Sequence, residues 1–569
     1  MDNIFTQLAI ILGLASILGY VTLRFKLPLL IAYLIGGLLI ALTAAFDVHS
    51  SEVLHFLPDI GIAFVLFLVG MELDLRELKL VGKPVLVAGF MQVLITAIAG
   101  STVAKLLGFD DIESIYLGIG LSFSSTILVI KLLLDKKDIT ALYGKLAIGI
   151  LLLEDLLAVV ILLGLTVGSS IFNLGFQNAF PLIALFLKAS LLFGLVIFLH
   201  RYFLPIVFKA VSKQPELLFL TALAWCFIYV AFSRFLGFSE VIGAFLAGVA
   251  LASSPYHFQI QGKIKPLRDF FVTLFFVYLG TQVQFGNLYK VLPITIIFTL
   301  YTLLFKPTIF LLIFGAFGFR KHTMFKTAIS ISHISEFSLI IILVGLKNGY
   351  VSQDALTAIA LSGVLSMIVA SIMIAESNSL YKLLKPAIGF FERKNFHNEL
   401  EEQHFSEELL DHIIVVGGHR VGGELVKYLK AEKIPYVVLD FNPSHIGKLV
   451  EEGINVIYGD VGDPDILDEI NLKYARMIIS TVQDLGDGLL LIEELKSRKI
   501  SVPIIVRAAT TTEAEILYKA GANLVLIPAI ITGDHLAEII KDHLGDKAYF
   551  KDRAKIEMEK LERKTLAWE

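Results

Sequence analysis

The 569-residue chain contains one cysteine, Cys226, and two tryptophans. A single thiol cannot close an internal disulfide. There is also no CxxC pair and no Cys/His cluster at metal-ligand spacing, so a secreted disulfide scaffold and a zinc module are both excluded. Charge is scarce as well, at 18% of residues against about 25% in soluble domains. The net charge of −4 leaves no basic footprint for a nucleic-acid partner. What is abundant is apolar. Hydrophobic residues make up 56% of the chain and the mean hydropathy is +0.77. They concentrate in residues 1–376, whereas residues 377–569 have ordinary polarity, which predicts a membrane part followed by a soluble part.

About 20 apolar residues are needed to cross a bilayer as a helix. Thirteen such stretches are expected, near 4–23, 29–46, 56–73, 84–108, 115–134, 144–167, 179–200, 216–236, 239–254, 267–284, 291–318, 325–347 and 355–376. The first reads as a retained span, since it is long and has no basic start or small-residue cleavage signal. Alternate loops differ sharply in charge. One set carries Arg24, Lys26, Arg76, Lys79, Lys136, Lys137, Arg201, Lys209, Lys263, Lys265, Arg320, Lys321, Arg393 and Lys394, and the other carries acids such as Asp47, Glu52, Asp110 and Asp111. By the positive-inside rule the amino terminus is outside and the carboxyl-terminal part is cytoplasmic.

The membrane part repeats itself. FVLFLVGMELD (64–74) lies on LFFVYLGTQVQ (274–284), with Gly70 on Gly280 at an offset of 210. IAYLIGGLLIA (31–41) lies on IGAFLAGVALA (242–252), with Gly37 on Gly248. LSFSSTIL (121–128) lies on ISHISEFS (331–338), with Ser122 on Ser332 and Ser125 on Ser335. An offset of seven spans inverts the second copy. Inverted repeats with interrupted helices are the architecture of secondary transporters, whose ion sites lie near the midplane.

Charges inside the hydrocarbon are functional candidates. Glu154 and Asp155 stand mid-span in GILLLEDLLAVV, Lys306 stands before Pro307, and Glu336 lies in the twelfth span; Lys188 makes a weaker case. Adjacent helical residues point about 100° apart, so Glu154 and Asp155 cannot both face one cavity squarely. The polar runs 122–126 and 332–336 interrupt their spans. Ser125 and Thr126 offer hydroxyl and unwound carbonyl ligands for an alkali cation, and a carboxylate can trade that cation for a proton. Glu154, Asp155, Ser125, Thr126, Glu336 and Lys306 are therefore the candidate ion and proton site. Asp155 is the candidate ligand for transported K+ or Na+. A buried ion pair of Lys306 with Asp155 or Glu336 is the alternative use of these charges.

In the soluble part, HIIVV (412–416) runs into Gly417-Gly418-His419-Arg420-Val421-Gly422 and a helix, and YVVLD ends in Asp440. That is a βαβ layout for a nucleotide: a glycine turn, a helix amino terminus for phosphate and an acid for the ribose. Further strand-like runs at 455–460, 476–482, 502–508 and 524–528 predict a parallel Rossmann-like sheet. No TVGYG filter exists, which excludes a potassium channel of that type.

With these motifs quoted, the chain resembles the Kef-type potassium/proton antiporters of the second monovalent cation:proton antiporter family. The likeness rests on FLVGMELDLREL (67–78), LLLEDLLAVV (151–160), GAFLAGVALA (243–252), SEFSLIIILVG (335–345) and VVLDFNPSHIGKLVEEGINVIYGD (437–460). Glu154 departs from the glutamine usual in that family. The resemblance implies a homodimeric thirteen-helix antiporter fold with crossed discontinuous helices in a bacterial inner membrane, moving by an elevator-like step. It also implies a TrkA-N/RCK-type regulatory domain. Asp155 then binds cation and proton in competition. An adenine nucleotide, AMP or ATP ahead of NAD or NADH because His419 replaces the central glycine, then lies on Gly417–Gly422, Asp440, Phe441, Gly459 and Asp460, with Arg420 beside its phosphate. The expected organisation is an exchanger domain at 1–376, a linker at 377–410, a nucleotide-binding domain at 411–532 and a helical tail at 533–569. K+ efflux against H+ is the expected activity; a Na+/H+ antiporter or another ion-coupled carrier on the same scaffold is the alternative.

Overall fold

The computed structural model describes all residues except 1–3, 26, 44–51, 73–82, 137, 140, 175–178, 253, 284–287, 393–409, 419, 441–448, 450–451, 460, 462–465, 468–469, 483–484 and 569. His419, Phe441 and Asp460 therefore lie outside the described residues, as do the loop charges Lys26, Asp47, Arg76, Lys79, Lys137, Arg393 and Lys394. The chain forms two compact units, Met1–Arg393 and Lys394–Glu569.

Among the described residues, the regular elements of the first unit are all helices. Its helices are α1 (Ile4–Arg24), α2 (Leu29–Thr43), α3 (Glu52–Glu72), α4 (Lys83–Leu106), α5 (Asp111–Ser122), α6 (Thr126–Lys136), α7 (Leu142–Leu174), α8 (Ala179–Phe198), α9 (Leu204–Val211), α10 (Pro215–Phe235), α11 (Glu240–Ala252), α12 (His257–Thr281), α13 (Leu288–Leu300), α14 (Lys306–Ala316), α15 (Lys321–Ser330), α16 (Glu336–Lys347), α17 (Gln353–Ala375) and α18 (Ser377–Ile388). Every apolar stretch expected from the sequence coincides with a helix or an end-to-end pair. Seven stretches among the described residues suffice by length and composition alone to cross a bilayer. Large apolar side chains such as Phe5, Ile98, Ile228 and Leu304 are exposed on this unit. That suits an environment of lipid, where exposed backbone would be costly but apolar surface is not.

Small residues let two helix pairs meet backbone to backbone. A Cβ added to Gly37 on α2 would stand 2.0 Å from the Val277 carbonyl oxygen and 2.7 Å from Gly280 Cα on α12. A Cβ added to Gly248 on α11 would stand 2.1 Å from the Phe67 carbonyl oxygen and 3.0 Å from Gly70 Cα on α3. The repeat exchanges α2 with α11 and α3 with α12, so it maps one contact onto the other.

Two interruptions divide helices in the same repeat positions. Helix α5 ends at Ser122 and α6 starts at Thr126; α15 ends at Ser330 and α16 starts at Glu336. The unwound stretches cross, since Ser335 N–H donates to the Phe123 carbonyl at 3.1 Å and Ser124 Oγ donates to the Ile331 carbonyl at 2.8 Å. Serine accounts for both breaks, because its hydroxyl competes for backbone groups at helix ends. Ser122 Oγ donates to the Ile119 carbonyl and Ser332 Oγ to the Ile329 carbonyl, each at 2.7 Å. Ser125 Oγ then caps the start of α6 by accepting from Leu128 N–H at 3.5 Å, and Ser335 Oγ caps α16 by accepting from Phe337 N–H at 3.1 Å.

The second unit holds β1 (His412–Val416), α19 (Arg420–Ala431), β2 (Tyr436–Asp440), β3 (Val456–Tyr458), β4 (Ala475–Ser480), α20 (Leu485–Ser497), β5 (Ile504–Arg507), α21 (Thr511–Ala520), β6 (Leu524–Leu526), α22 (Pro528–His543) and α23 (Lys547–Trp568). All strand pairs are parallel, in the order β3-β2-β1-β4-β5-β6. That is the doubly wound Rossmann order, which places its switch point between β1 and β4.

Candidate functional site

The crossover brings together most of the charges that the sequence singled out. On α7, Glu154 and Asp155 diverge as helical geometry requires. Glu154 is fully buried and its Oε2 accepts the Ser124 N–H at 2.6 Å. Asp155 is half-buried, and its Oδ2 accepts from Thr126 Oγ1 at 2.8 Å. Thr126 is the first residue of α6, so this carboxylate stands at the positive end of a half-helix, where an anion is favoured.

Lys306 is fully buried and its Nζ donates to Ser124 Oγ at 2.7 Å. Ser124 thus joins the two: Glu154 on its main-chain nitrogen, Lys306 on its hydroxyl. Lys306 goes to Ser124 and neither to Asp155 nor to Glu336. A π-helical turn, Tyr301–Phe305, precedes Lys306, and Pro307 follows it. Proline has no N–H to continue the helix ladder, and the extra residue of the π turn accommodates the break. Tyr301 fixes the turn by donating its hydroxyl to the Thr96 carbonyl at 2.6 Å.

Glu336, also buried, opens α16 beside its cap, with Ser335 Oγ donating to Glu336 Oε2 at 3.5 Å. Lys188 sits apart, exposed on α8.

Three participants were not singled out in the sequence. Ser124 was one hydroxyl among several. Gln92 on α4 is fully buried and donates through Nε2 to the Ser122 carbonyl and to Thr96 Oγ1, each at 3.1 Å. His333 is fully buried, with Nε2 3.0 Å from Ser125 N and 3.1 Å from the Ser125 carbonyl oxygen. For Gln92 the available signal was a lone amide in an otherwise apolar stretch.

In the second unit the glycine turn sits at the switch point. Gly417 has φ +89°, a conformation that favours glycine, and its N–H donates to the Leu439 carbonyl at 2.8 Å. A Cβ on Gly422 would stand 1.8 Å from the Gly417 carbonyl oxygen, so only glycine lets α19 start this close to β1. Asp440 is buried and its Oδ2 accepts the Gly418 N–H at 2.8 Å. Gly459 is buried beneath Ile466 and donates its N–H to the Asp440 carbonyl at 2.9 Å. Arg420 and Val421 open α19, and Val421 is exposed. Thr481, which follows β4, donates its hydroxyl to the Gly417 carbonyl at 3.0 Å. Arg507 ends β5, and its buried Nε has no hydrogen-bond partner among the described residues.

These features have counterparts in known proteins. The transmembrane sodium/hydrogen exchanger model matches residues 11–376, more than half of the chain. The chain belongs to the sodium/hydrogen exchanger family. The TrkA-N domain matches residues 413–528. The exchanger is 27% identical to the putative K+ efflux antiporter KefB of Alkalimonas amylolytica, over 94% of this chain and 80% of that one. It is 26% identical to the putative cation/proton antiporter YbaL of Escherichia coli strain K12, over 91% of this chain and 93% of that one. Among solved structures, the sodium proton antiporter MjNhaP1 from Methanocaldococcus jannaschii aligns with 66% of this chain and 97% of its own, at 16% identity and a TM-score of 0.49. The protein is a membrane-embedded cation/proton exchanger, not an enzyme, and its TrkA-N part is a domain of the nucleotide-binding type.

Proposed function

We propose that this exchanger releases K+ from the cell in return for H+, through Asp155, under the control of an adenine nucleotide. The observation that carries the reading is the placing of Asp155. It is half-buried, tied to Thr126 Oγ1 at 2.8 Å, and it stands at the amino terminus of the half-helix α6. A cation or a proton neutralises the carboxylate and lowers the cost of moving it past an apolar barrier. The empty carboxylate resists that movement, which enforces exchange. Glu154, Ser124 and Lys306 form the sealed wall of the same site and hold a fixed charge pair while Asp155 changes its occupant. Glu336 and the capping serines Ser125 and Ser335 keep the crossover unwound.

The name of the Alkalimonas relative supports K+ as cargo, and the family description supports Na+ as the second reading. In the TrkA-N domain, Gly417–Gly422 would face the phosphate and Asp440 the ribose, with His419, Phe441, Gly459 and Asp460 beside them. AMP or ATP is put ahead of NAD. Arg507, half-buried with its Nη1 donating to the Thr481 carbonyl at 3.5 Å, is a further candidate partner for phosphate at the carboxyl end of the sheet. The family and its bacterial relatives support a bacterial inner-membrane location, and the charge asymmetry of the loops supports an amino terminus outside and a TrkA-N domain in the cytoplasm. The organisation proposed is an exchanger at 1–376, a connecting segment at 377–410 whose first part is α18, packed in the first unit, a nucleotide domain at 411–532 and a tail at 533–569, assembled as a homodimer.

The experiment is proton flux in liposomes containing the purified full-length protein. Pulses of K+ should move protons, pulses of Na+ should do so less effectively, and AMP, ATP or NAD on the TrkA-N side should change the rate. Proton movement with neither cation would reject the reading.

A further inference from the structure

We infer that His333 is a positioning residue for exchange: its ring holds the Ser125 peptide and thereby aims Thr126 and Asp155. The inference rests on the proposed role of Asp155 as the ion carboxylate. It begins with a break in the repeat. Residues 123 and 333 are repeat mates, as are 125 and 335, at the offset of 210. In one half of the crossover, Ser335 N–H donates to the main-chain carbonyl of Phe123 at 3.1 Å. The equivalent bond in the other half would run from Ser125 N–H to the carbonyl of His333. Instead, Ser125 N lies 3.0 Å from the His333 Nε2. A side chain has taken over the work of a backbone carbonyl.

The tautomer follows from the direction of the Ser125 N–H. A neutral imidazole has one N–H and one bare nitrogen. The Ser125 carbonyl lies 3.1 Å from Nε2, but it already accepts from Val129 N–H at 3.4 Å. Among the described residues, Ser125 N–H has only the ring. The Ser125 N–H points at Nε2, where a second hydrogen would face it, so Nε2 is the acceptor and the proton sits on Nδ1. The Nδ1 is buried and has no hydrogen-bond partner among the described residues.

The consequence reaches Asp155 through one peptide unit. Ser125 caps α6, and Thr126, the next residue, carries the hydroxyl that Asp155 accepts at 2.8 Å. With the ring in place, the Ser124–Ser125 peptide plane that leads into α6 is fixed, and with it the start of the half-helix that carries the Thr126 hydroxyl. Without it the half-helix start can rotate, and the cation meets a carboxylate that is no longer aimed. The loss should therefore appear in cation affinity before it appears in turnover.

The test compares two substitutions in full-length protein reconstituted in liposomes, alongside nitrogen-15 histidine spectra of the parent. His333→Phe gives the crossover two copies of the residue found at 123, keeps the bulk and removes the acceptor. It should raise the KM for K+ about tenfold, as loss of one buried hydrogen bond requires, with kcat changed by less than about threefold. His333→Gln offers an amide oxygen to Ser125 N–H and should stay within about threefold of the parent KM. The His333 resonances, assigned by their loss in His333→Gln, should show a protonated Nδ1 and a bare Nε2. An unchanged KM in His333→Phe, an equal defect in His333→Gln, or a protonated Nε2 would each overturn the inference. The spectrum does not depend on transport. A parent protein that exchanges no cation but shows the expected tautomer therefore rejects the exchange reading and leaves the hydrogen bond standing.

Discussion

Gly37 rests on Gly280 so closely that a methyl group on Gly37 would meet the Val277 carbonyl oxygen at 2.0 Å. The second copy of the repeat makes the same contact between Gly248 and Gly70. Backbone on both sides leaves no flexible atom to give way. Gly37→Val and Gly248→Val should each destabilise the membrane unit by about 1–3 kcal/mol, the usual range for overpacking. Thermal unfolding of the purified protein in detergent reads the effect, and a parent-like midpoint in either variant would refute the shared geometry.

Lys306 and Glu154 share Ser124, and each is fully buried. Removing one charge strands the other in a low-dielectric interior. Lys306→Met or Glu154→Gln alone should cost about 3 kcal/mol or more, whereas the double variant should recover most of that loss. The check is a double-mutant cycle on the unfolding midpoint. Strictly additive losses would mean that the two side chains do not feel each other.

Much of this was legible in the sequence because membrane chemistry is strict. Glu154, Asp155, Lys306 and Glu336 were visible as charges where hydrocarbon tolerates few. The repeat was visible because backbone contact admits only glycine at Gly37, Gly70, Gly248 and Gly280, and because unwinding needs serine at both interruptions. The direction of side chains was not legible. That Lys306 would choose Ser124 over an acid depends on the π turn at 301–305, and no residue pattern announces that turn. Gln92 was hidden and His333 was visible only as a member of the polar run 332–336, because each acts on a backbone group of a distant segment, which periodicity does not record.

In the TrkA-N domain, Asp440 Oδ2 holds the Gly418 N–H at 2.8 Å. Asp440→Ala should loosen the glycine turn and weaken AMP or ATP binding to the full-length protein by at least about tenfold, given the strength of hydrogen bonds to a charged acceptor. Calorimetric titration of the reconstituted or detergent-solubilised chain decides it. Unaltered affinity would remove Asp440 from the nucleotide site.

His412 begins β1, fully buried, with Nε2 3.0 Å from the Ile470 carbonyl oxygen. Burial pushes its imidazole below the ordinary value of 6.5. The folded domain therefore prefers the neutral ring, and the unfolded chain takes the proton first. Stability from this group is complete above about pH 6.5 and falls as the pH drops from there through the lowered folded value. Limited proteolysis of the TrkA-N domain should accelerate over that acid window, and His412→Gln should flatten the trend. A parent domain whose proteolysis rate is flat across the window would contradict it.

One measurement bears most directly on the shared carboxylate: the apparent KM for K+ in liposomes, followed as the pH is lowered. If cation and proton compete for Asp155, the KM rises as protons accumulate, saturating K+ restores the maximal rate, and Asp155→Asn exchanges nothing. A KM indifferent to pH, or normal exchange by Asp155→Asn, would contradict the account.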